Sequence, residues 1–309
     1  MPSRPLQLVT RPQGNNRALL EGETAIQGYE FEHIQVTPLV AGFRRMVREL
    51  AFDVCEMALT TYLCAKEHGA AITALPIFLV RGLHHDAIIR PAGTSLMPSE
   101  LAGQRVGVNR GYTVTTGVWA RGLLMDEFGL DPTAVEWVPS GDEHVEDYRL
   151  PDNVHPDRGM DLAQAVTAGH ISAAVGLRAN APGVEPMFAD ATDRGLRALR
   201  ERGTYPINHC IVIRDELLDS EPQLAEAVQS AFTTSKDRYV AQLSKRAEET
   251  TDALDQLHIM VRNELESDPL PYGLEANRQV LEELLRHASA QGILRTRPSL
   301  EDVFLDPKA

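Results

Sequence analysis

The feature that most constrains this chain is an alternation, sustained from the N-terminus to about residue 215, of short apolar runs with longer segments of helical spacing. Residues 6–10 and 31–36 read as strands. Phe43, Met46, Val47 and Leu50 then fall at i, i+3, i+4 and i+7, the stripe of an amphipathic helix. A strand at 52–55, a helix at 59–67 closed by Gly69 and an apolar run at 72–80 follow. Residues 85–90 and 105–108 read as strands, 116–128 as a helix stopped by Gly129 and Pro132, and 135–138 as a strand. After a polar, proline-interrupted loop at 141–158, the pattern gives a helix at 161–169, a strand at 171–176, a helix at 194–202 and a strand within 205–214. The last hundred residues are mostly helical, at about 223–243, 253–264 and 274–289.

Such alternation is satisfied by mainly parallel sheets flanked by helices, an α/β fold. The 309 residues make about two domains at roughly 150 residues each. The order of elements suits two lobes joined by crossing segments. Residues 1–88 with 205–309 form the first, discontinuous lobe and 89–204 the second, with small ligands expected in the cleft between them.

Charge narrows the partners. Thirty Lys and Arg against 44 Asp and Glu leave a net charge of −14, which argues against a nucleic acid, whose binding needs clustered cations. No apolar stretch approaches the roughly 20 residues that span a bilayer, so no membrane partner is expected. The N-terminus has no apolar core of signal-peptide length, and the expected location is the cytoplasm. Cys55, Cys64 and Cys210 are odd in number and lack C-x-x-C spacing, so they read as packing residues in a reducing compartment. A homo-oligomer is left open.

Ligands of open α/β sheets lie beyond the carboxyl ends of the strands, and four segments place polar residues there. In Phe52-Asp53-Val54-Cys55-Glu56-Met57, Glu56 stands at the strand end among apolar neighbours. Desolvation would raise its pKa and suit it to acid/base work; the alternative is a first-turn carboxylate meeting a helix dipole. In Arg81-Gly82-Leu83-His84-His85-Asp86, a cation and two imidazoles can bind a carboxylate and move a proton, although adjacent side chains on an extended chain face opposite ways. In the segment from Asn109 to Trp119, Gly111 and the hydroxyls of Thr113, Thr115 and Thr116 open a helix. That arrangement offers N–H groups and the dipole's positive end to an anion, beyond what a plain N-cap needs. No Walker A or G-x-G-x-x-G pattern is present, which disfavours a nucleotide. In Tyr205-Pro206-Ile207-Asn208-His209-Cys210, His209 opens a returning strand, as a donor to substrate or as a core histidine. Arg178, just after the strand at 171–176, is a further cation.

Together these segments, with Leu75-Pro76-Ile77-Phe78, Arg105-Val106-Gly107-Val108 and Thr115-Thr116-Gly117-Val118-Trp119-Ala120-Arg121-Gly122, resemble the 4,5-dihydroxyphthalate decarboxylase family over roughly residues 30–215. The resemblance implies a type II periplasmic-binding-protein-like fold and non-oxidative loss of CO2 from a dihydroxylated aromatic diacid, 4,5-dihydroxyphthalate giving protocatechuate. An aryl carboxylate cannot simply eject CO2, because the electron pair left behind lies in the ring plane. The ring carbon must be protonated first, helped by a deprotonated para hydroxyl. On this reading Glu56, His85 and His209 are the catalytic groups. Arg81, Thr113, Thr115, Thr116, Arg178 and Trp119 bind the small aromatic dicarboxylate. Which of the three titratable groups protonates carbon stays open. No cofactor is demanded by the residues; a divalent metal held by Glu56, His85 and His209 is the alternative. The competing function is a non-catalytic solute-binding protein with the same cleft, against which the missing signal segment argues.

Overall fold

Two sheets of five strands organise the chain. The computed structural model describes residues 4–246 and 250–307; residues 1–3, 247–249 and 308–309, included above in the first lobe, lie outside the described residues. The first unit opens with β1 (Leu6–Val9), α1 (Arg17–Leu20), β2 (Phe31–His33), α2 (Leu39–Glu49), β3 (Val54–Ala58), α3 (Leu59–Glu67) and β4 (Ile72–Arg81). A 3-10 turn, His84–Ala87, leads through the second unit: β5 (Ile88–Pro91), β6 (Arg105–Val108), α4 (Thr115–Phe128), β7 (Glu136–Pro139), α5 (Leu162–Thr167), β8 (Ala173–Val175), β9 (Val184–Pro186) and α6 (Ala191–Arg202). The chain then returns through β10 (Ile207–Arg214), α7 (Asp215–Ser220), α8 (Leu224–Arg246) and α9 (Ala253–Leu265), and closes with α10 (Arg278–Ala290) and α11 (Leu300–Val303).

The first sheet has the order β2-β1-β3-β10-β4 and the second β7-β6-β8-β5-β9. Both are mixed, with four of the five strands running one way and a single strand against them. In the first, β1 runs parallel to β2 and β3, whereas β10 is antiparallel to β3 and β4. In the second, β6 is parallel to β7 and β8, whereas β5 is antiparallel to β8 and β9. The antiparallel strands β5 and β10 are those at which the chain enters one unit from the other, so they lack the βαβ crossover that enforces parallel pairing. One core cluster joins Leu6, Leu8, Val54, Leu75, Ile77 and Ile211 to Val228 and Phe232 of α8; a separate one joins Ile89, Val138 and Ala174 to Leu162 and Val166 of α5.

The units divide at 81/82 and 206/207, and residues 279–297 belong with the second. The sequence expectation places 82–88, 205–206 and 279–297 in the first lobe. The reason for the difference lies on α10 and just after it. The His287 ring meets Trp119 edge-on at 5.4 Å, and the Gln291 carboxamide accepts from Arg121 Nε at 2.7 Å while donating to the Val118 carbonyl at 3.0 Å. Gly122 makes this docking feasible, since a Cβ there would overlap the His287 imidazole.

Candidate active site

The clearest acid/base constellation is built by β1, β3 and β10 of the first unit. On the antiparallel pair, His209 lies opposite Ala58 and Ile211 opposite Glu56. Alternate residues share a face, so His209 and Glu56 are diagonal neighbours. Their Nδ1 and Oε1 atoms are 2.6 Å apart. The other carboxylate oxygen accepts the Thr10 hydroxyl at 2.7 Å and the Arg11 N–H at 2.9 Å, just past the end of β1. Asn16 fixes that turn, donating to Thr10 Oγ1 and to the Arg11 carbonyl, each at 2.9 Å, and accepting the Gln13 N–H.

Glu56 has no exposed surface. Burial pushes its pKa up, but the bonds from His209, Thr10 and Arg11 outweigh burial and leave it below the usual range. The group is therefore a carboxylate, in contrast to the raised pKa expected from its apolar neighbours. Its position inside β3, rather than at the strand–helix junction, brings it the donors from β1. Because Nδ1 faces a carboxylate, it carries the proton, and the neutral ring offers Nε2 as acceptor. The His209 side chain is 18% exposed, and its ring lies edge-on to Phe43 at 5.2 Å.

His85 occupies a different setting in the second unit. It lies in the 3-10 turn, not in a strand, and the tighter winding buries both His84 and His85 instead of turning them to opposite faces. His85 Nε2 is 2.9 Å from Glu127 Oε1, which also accepts from Arg202 at 2.8 Å. Burial pushes the Glu127 pKa up, yet the His85 and Arg202 bonds hold it lowered. His85 Nδ1 is buried without a hydrogen-bond partner. Glu127 escaped the sequence reading because two adjacent acids, Asp126 and Glu127, in the last turn of a helix look like solvated charge.

The turn before α4 has the anion-binding character expected of it, and the chain itself supplies the anion. The Glu143 carboxylate, from the 141–158 loop, accepts the Thr113 hydroxyl at 2.5 Å, the Thr113 N–H at 3.1 Å and the Tyr112 N–H. Gly111 permits this approach, since a Cβ would fall 2.9 Å from Glu143 Oε2. Burial, outweighing the donors from Thr113 and Tyr112, raises the Glu143 pKa. Arg121 runs back along α4 past Gly117, donates to the Tyr112 carbonyl at 2.7 Å and packs its guanidinium 3.9 Å from the Tyr112 ring centre. Its Nη1 is buried without a hydrogen-bond partner. A charged residue inside the otherwise apolar 118–124 run was the signal for Arg121. Thr115 and Thr116 open α4, and Trp119 is fully buried against His287.

The remaining cations are engaged elsewhere. Arg81 donates to the Pro271 carbonyl at 3.0 Å and to Asn277 within the first unit. Arg178 is 66% exposed and pairs with Asp86 at 2.7 Å. Cys55, Cys64 and Cys210 are buried and stand outside any disulfide. His258 shares a hydrogen bond with Tyr239, whose hydroxyl also reaches Asp255, and burial pushes its pKa down to about 4. Among the described residues, Asp126, Glu283 and His287 could hold a metal, their ligand atoms lying within 4.8 Å of one another. Arg286 already pairs with both Asp126 oxygens, at 2.9 and 2.6 Å. No described helix is long and apolar enough to cross a membrane.

Two five-stranded α/β units, entered and left through antiparallel strands, define a protein of periplasmic-binding-protein fold. The likeness to solved structures agrees: the periplasmic sulfonate-binding protein SsuA of Methylobacillus flagellatus superimposes with a TM-score of 0.57 at 11% identity, covering 98% of this chain and 92% of that one. No protein-family model matches the chain. The resemblance read from the sequence is borne out by two relatives. The 4,5-dihydroxyphthalate decarboxylase of Comamonas testosteroni is 27% identical over 307 residues, covering 93% of this chain and 92% of the relative. The 4,5-dihydroxyphthalate decarboxylase of Pseudomonas putida is 30% identical over 173 residues, 53% of this chain and 66% of the relative.

Proposed function

We propose that this protein is a carboxy-lyase converting 4,5-dihydroxyphthalate to protocatechuate and CO2, a step in aromatic catabolism. The observation that carries the reading is its likeness to the Comamonas testosteroni decarboxylase over 93% of the chain. The fold alone would not separate a decarboxylase from a binding protein. The buried Glu56 carboxylate behind a partly exposed His209 adds a group suited to proton transfer.

In the proposed reaction, a para phenolate pushes density onto the ring carbon that bears the carboxylate. The His209 imidazolium gives its Nε2 proton to that carbon, and Glu56 stabilises the imidazolium through Nδ1. The C–C bond then breaks, its electron pair restores the aromatic ring, and CO2 departs. One proton enters the ring for each CO2 released. Glu56 thus acts as a positioning and charge-balancing residue, held ionised by Thr10 and Arg11. In the second unit, the α4 N-terminus with Thr115 and Thr116 is assigned to a carboxylate by its hydroxyls and dipole, and His85 to a phenol oxygen. No cofactor enters the scheme, so turnover after exhaustive dialysis against a chelator should match the untreated enzyme. A cytoplasmic setting belongs to the same proposal, in keeping with three buried cysteines outside any disulfide.

Incubation with 4,5-dihydroxyphthalate, followed by chromatography and CO2 measurement, tests the reading. Equimolar protocatechuate and CO2 are expected. A chain that the diacid stabilises against heat but that returns it unchanged is a binding protein, and the proposal then falls.

A further inference from the structure

Asn16 stands at the N-cap of α1, where an asparagine ordinarily spends its side chain on the first helical N–H groups, yet it makes no capping bond. The Leu19 N–H of that turn goes instead to the Ser235 hydroxyl at 3.3 Å. The Asn16 carboxamide, fully buried, is turned back to residues 10–13, and its orientation there is dictated. The Gln13 N–H can only donate and the Arg11 carbonyl can only accept, so the first fixes Oδ1 and the second Nδ2, each at 2.9 Å. Nδ2 therefore donates to Thr10 Oγ1, also at 2.9 Å.

A threonine hydroxyl has a single proton, and with Asn16 donating to its oxygen that proton goes to Glu56 Oε2 at 2.7 Å. The Arg11 N–H donates to the same oxygen at 2.9 Å. With two donors aimed at Oε2, a proton has no place on it. Oε1 is left, and it faces His209 Nδ1 at 2.6 Å. A series of one-way bonds thus runs from a main-chain N–H to the imidazole, and any proton that Glu56 takes up lies between Oε1 and Nδ1. Asn16, Thr10 and Glu56 are all buried, so bulk water is not at hand to replace a lost donor.

We propose that Asn16 and Thr10 are positioning residues for the proton transfer: the Asn16 carboxamide aims the Thr10 hydroxyl at Glu56, which keeps the mobile proton of the pair on His209 rather than on the carboxylate. The proposal deepens the decarboxylase reading and rests on it for its effect on rate. Without the Thr10 donor the carboxylate becomes the better base; the proton settles on Oε1, His209 loses its charge and the ring carbon loses its acid. The surrounding groups do not take over this role. Burial pushes up the thiols of Cys55 on β3 and Cys210 on β10 and the phenol of Tyr272, so all three stay protonated. From β2, His33 Nε2 donates to the Thr10 carbonyl at 2.8 Å; the Arg11 guanidinium reaches Gln13 Oε1 at 3.4 Å, and α2 meets His209 through the Phe43 ring.

The test compares the full chain with Thr10→Val, which keeps the shape and deletes the hydroxyl, Asn16→Asp, which puts an acceptor where the donor stood, and Thr10→Ser, which keeps the hydroxyl. The readouts are the pH dependence of kcat on 4,5-dihydroxyphthalate and a 13C NMR titration of the Glu56 carboxyl, assigned with Glu56→Gln. Thr10→Val and Asn16→Asp should each raise the proton affinity of Glu56 about tenfold, move the acid limb of kcat up by about one pH unit and lower kcat about tenfold. KM should stay within about twofold, because neither buried residue is open to substrate. Thr10→Ser should restore wild-type behaviour. Thr10→Val carries the test alone should Asn16→Asp fail to fold. A Glu56 titration unmoved by Thr10→Val, or a loss of kcat with the acid limb in place, overturns the proposal. A wild-type chain that releases no CO2 sinks the decarboxylase reading instead, and the carboxyl titration alone then decides the relay.

Discussion

Each unit pairs a glutamate with a histidine, and the two pairs are built inside out relative to each other. In the first unit the carboxylate is the buried partner: Glu56 is 0% exposed, and His209 stands 18% exposed. In the second unit the imidazole is buried: His85 is 2% exposed, and Glu127 is 14% exposed and shared with Arg202. A buried carboxylate fixed by a hydroxyl and a main-chain N–H polarises an imidazole whose other nitrogen can still exchange a proton. A buried imidazole bonded to a carboxylate that an arginine also holds is fixed in place from one side. The first arrangement suits acid/base transfer and the second suits positioning.

The largest expected effect tests that contrast directly. His209→Asn and Glu56→Gln should each lower CO2 release by about 10²–10⁴-fold, the usual worth of a positioned acid/base group. His85→Asn should cost about tenfold, as an orienting group would. Equal losses at His209 and His85 would erase the distinction. Next in size is the coupling within each pair, measured by double-mutant cycles on unfolding free energy. Glu56 with His209 should couple by about 2–3 kcal/mol and Glu127 with His85 by about 1 kcal/mol, because Arg202 compensates for a lost imidazole.

Acidification sharpens the comparison further. Glu56 and Glu127 both have lowered pKa values. Their ionised forms therefore stabilise the fold fully above the ordinary glutamate pKa of about 4.3, and that contribution is lost as pH falls below it. His258 works in another window. Its pKa is pushed down to about 4, so the unfolded chain binds the extra proton first. Stability falls as pH drops from about 6.5 toward 4, on the order of 3 kcal/mol in all. His258→Gln should remove this earlier decline and leave the later one; thermal melts across pH 7 to 3 would show it. The smallest effect belongs to Arg178→Ala, expected to change stability by no more than about 0.5 kcal/mol because its pairing with Asp86 is largely exposed.

How much of this was legible depended on whether a residue's role was local. Strong periodicity gave α3 at its observed limits, and β1, β6 and α4 within a residue. β9 and α7 went unread because three residues ending in Pro186, and a six-residue helix running directly on from β10, carry too little pattern to register. At the site, Glu56 and His209 were identified by type and position, but not the proton state of Glu56, which Thr10 and Arg11 set from some 45 residues upstream. Glu127 and Glu143 were illegible for the same reason. Nothing local to an acidic side chain reveals that a distant backbone or imidazole will meet it.

The docking of residues 279–297 onto α4 carries a consequence for synthesis. A ribosome that has finished residue 206 has made both ends of the second sheet but neither Gln291 nor His287, so Arg121 Nε and the Trp119 ring still lack their native neighbours. The second unit therefore completes its interior only when residues 279–297 have emerged, and chains truncated before residue 279 should be handled by the cell as unfinished.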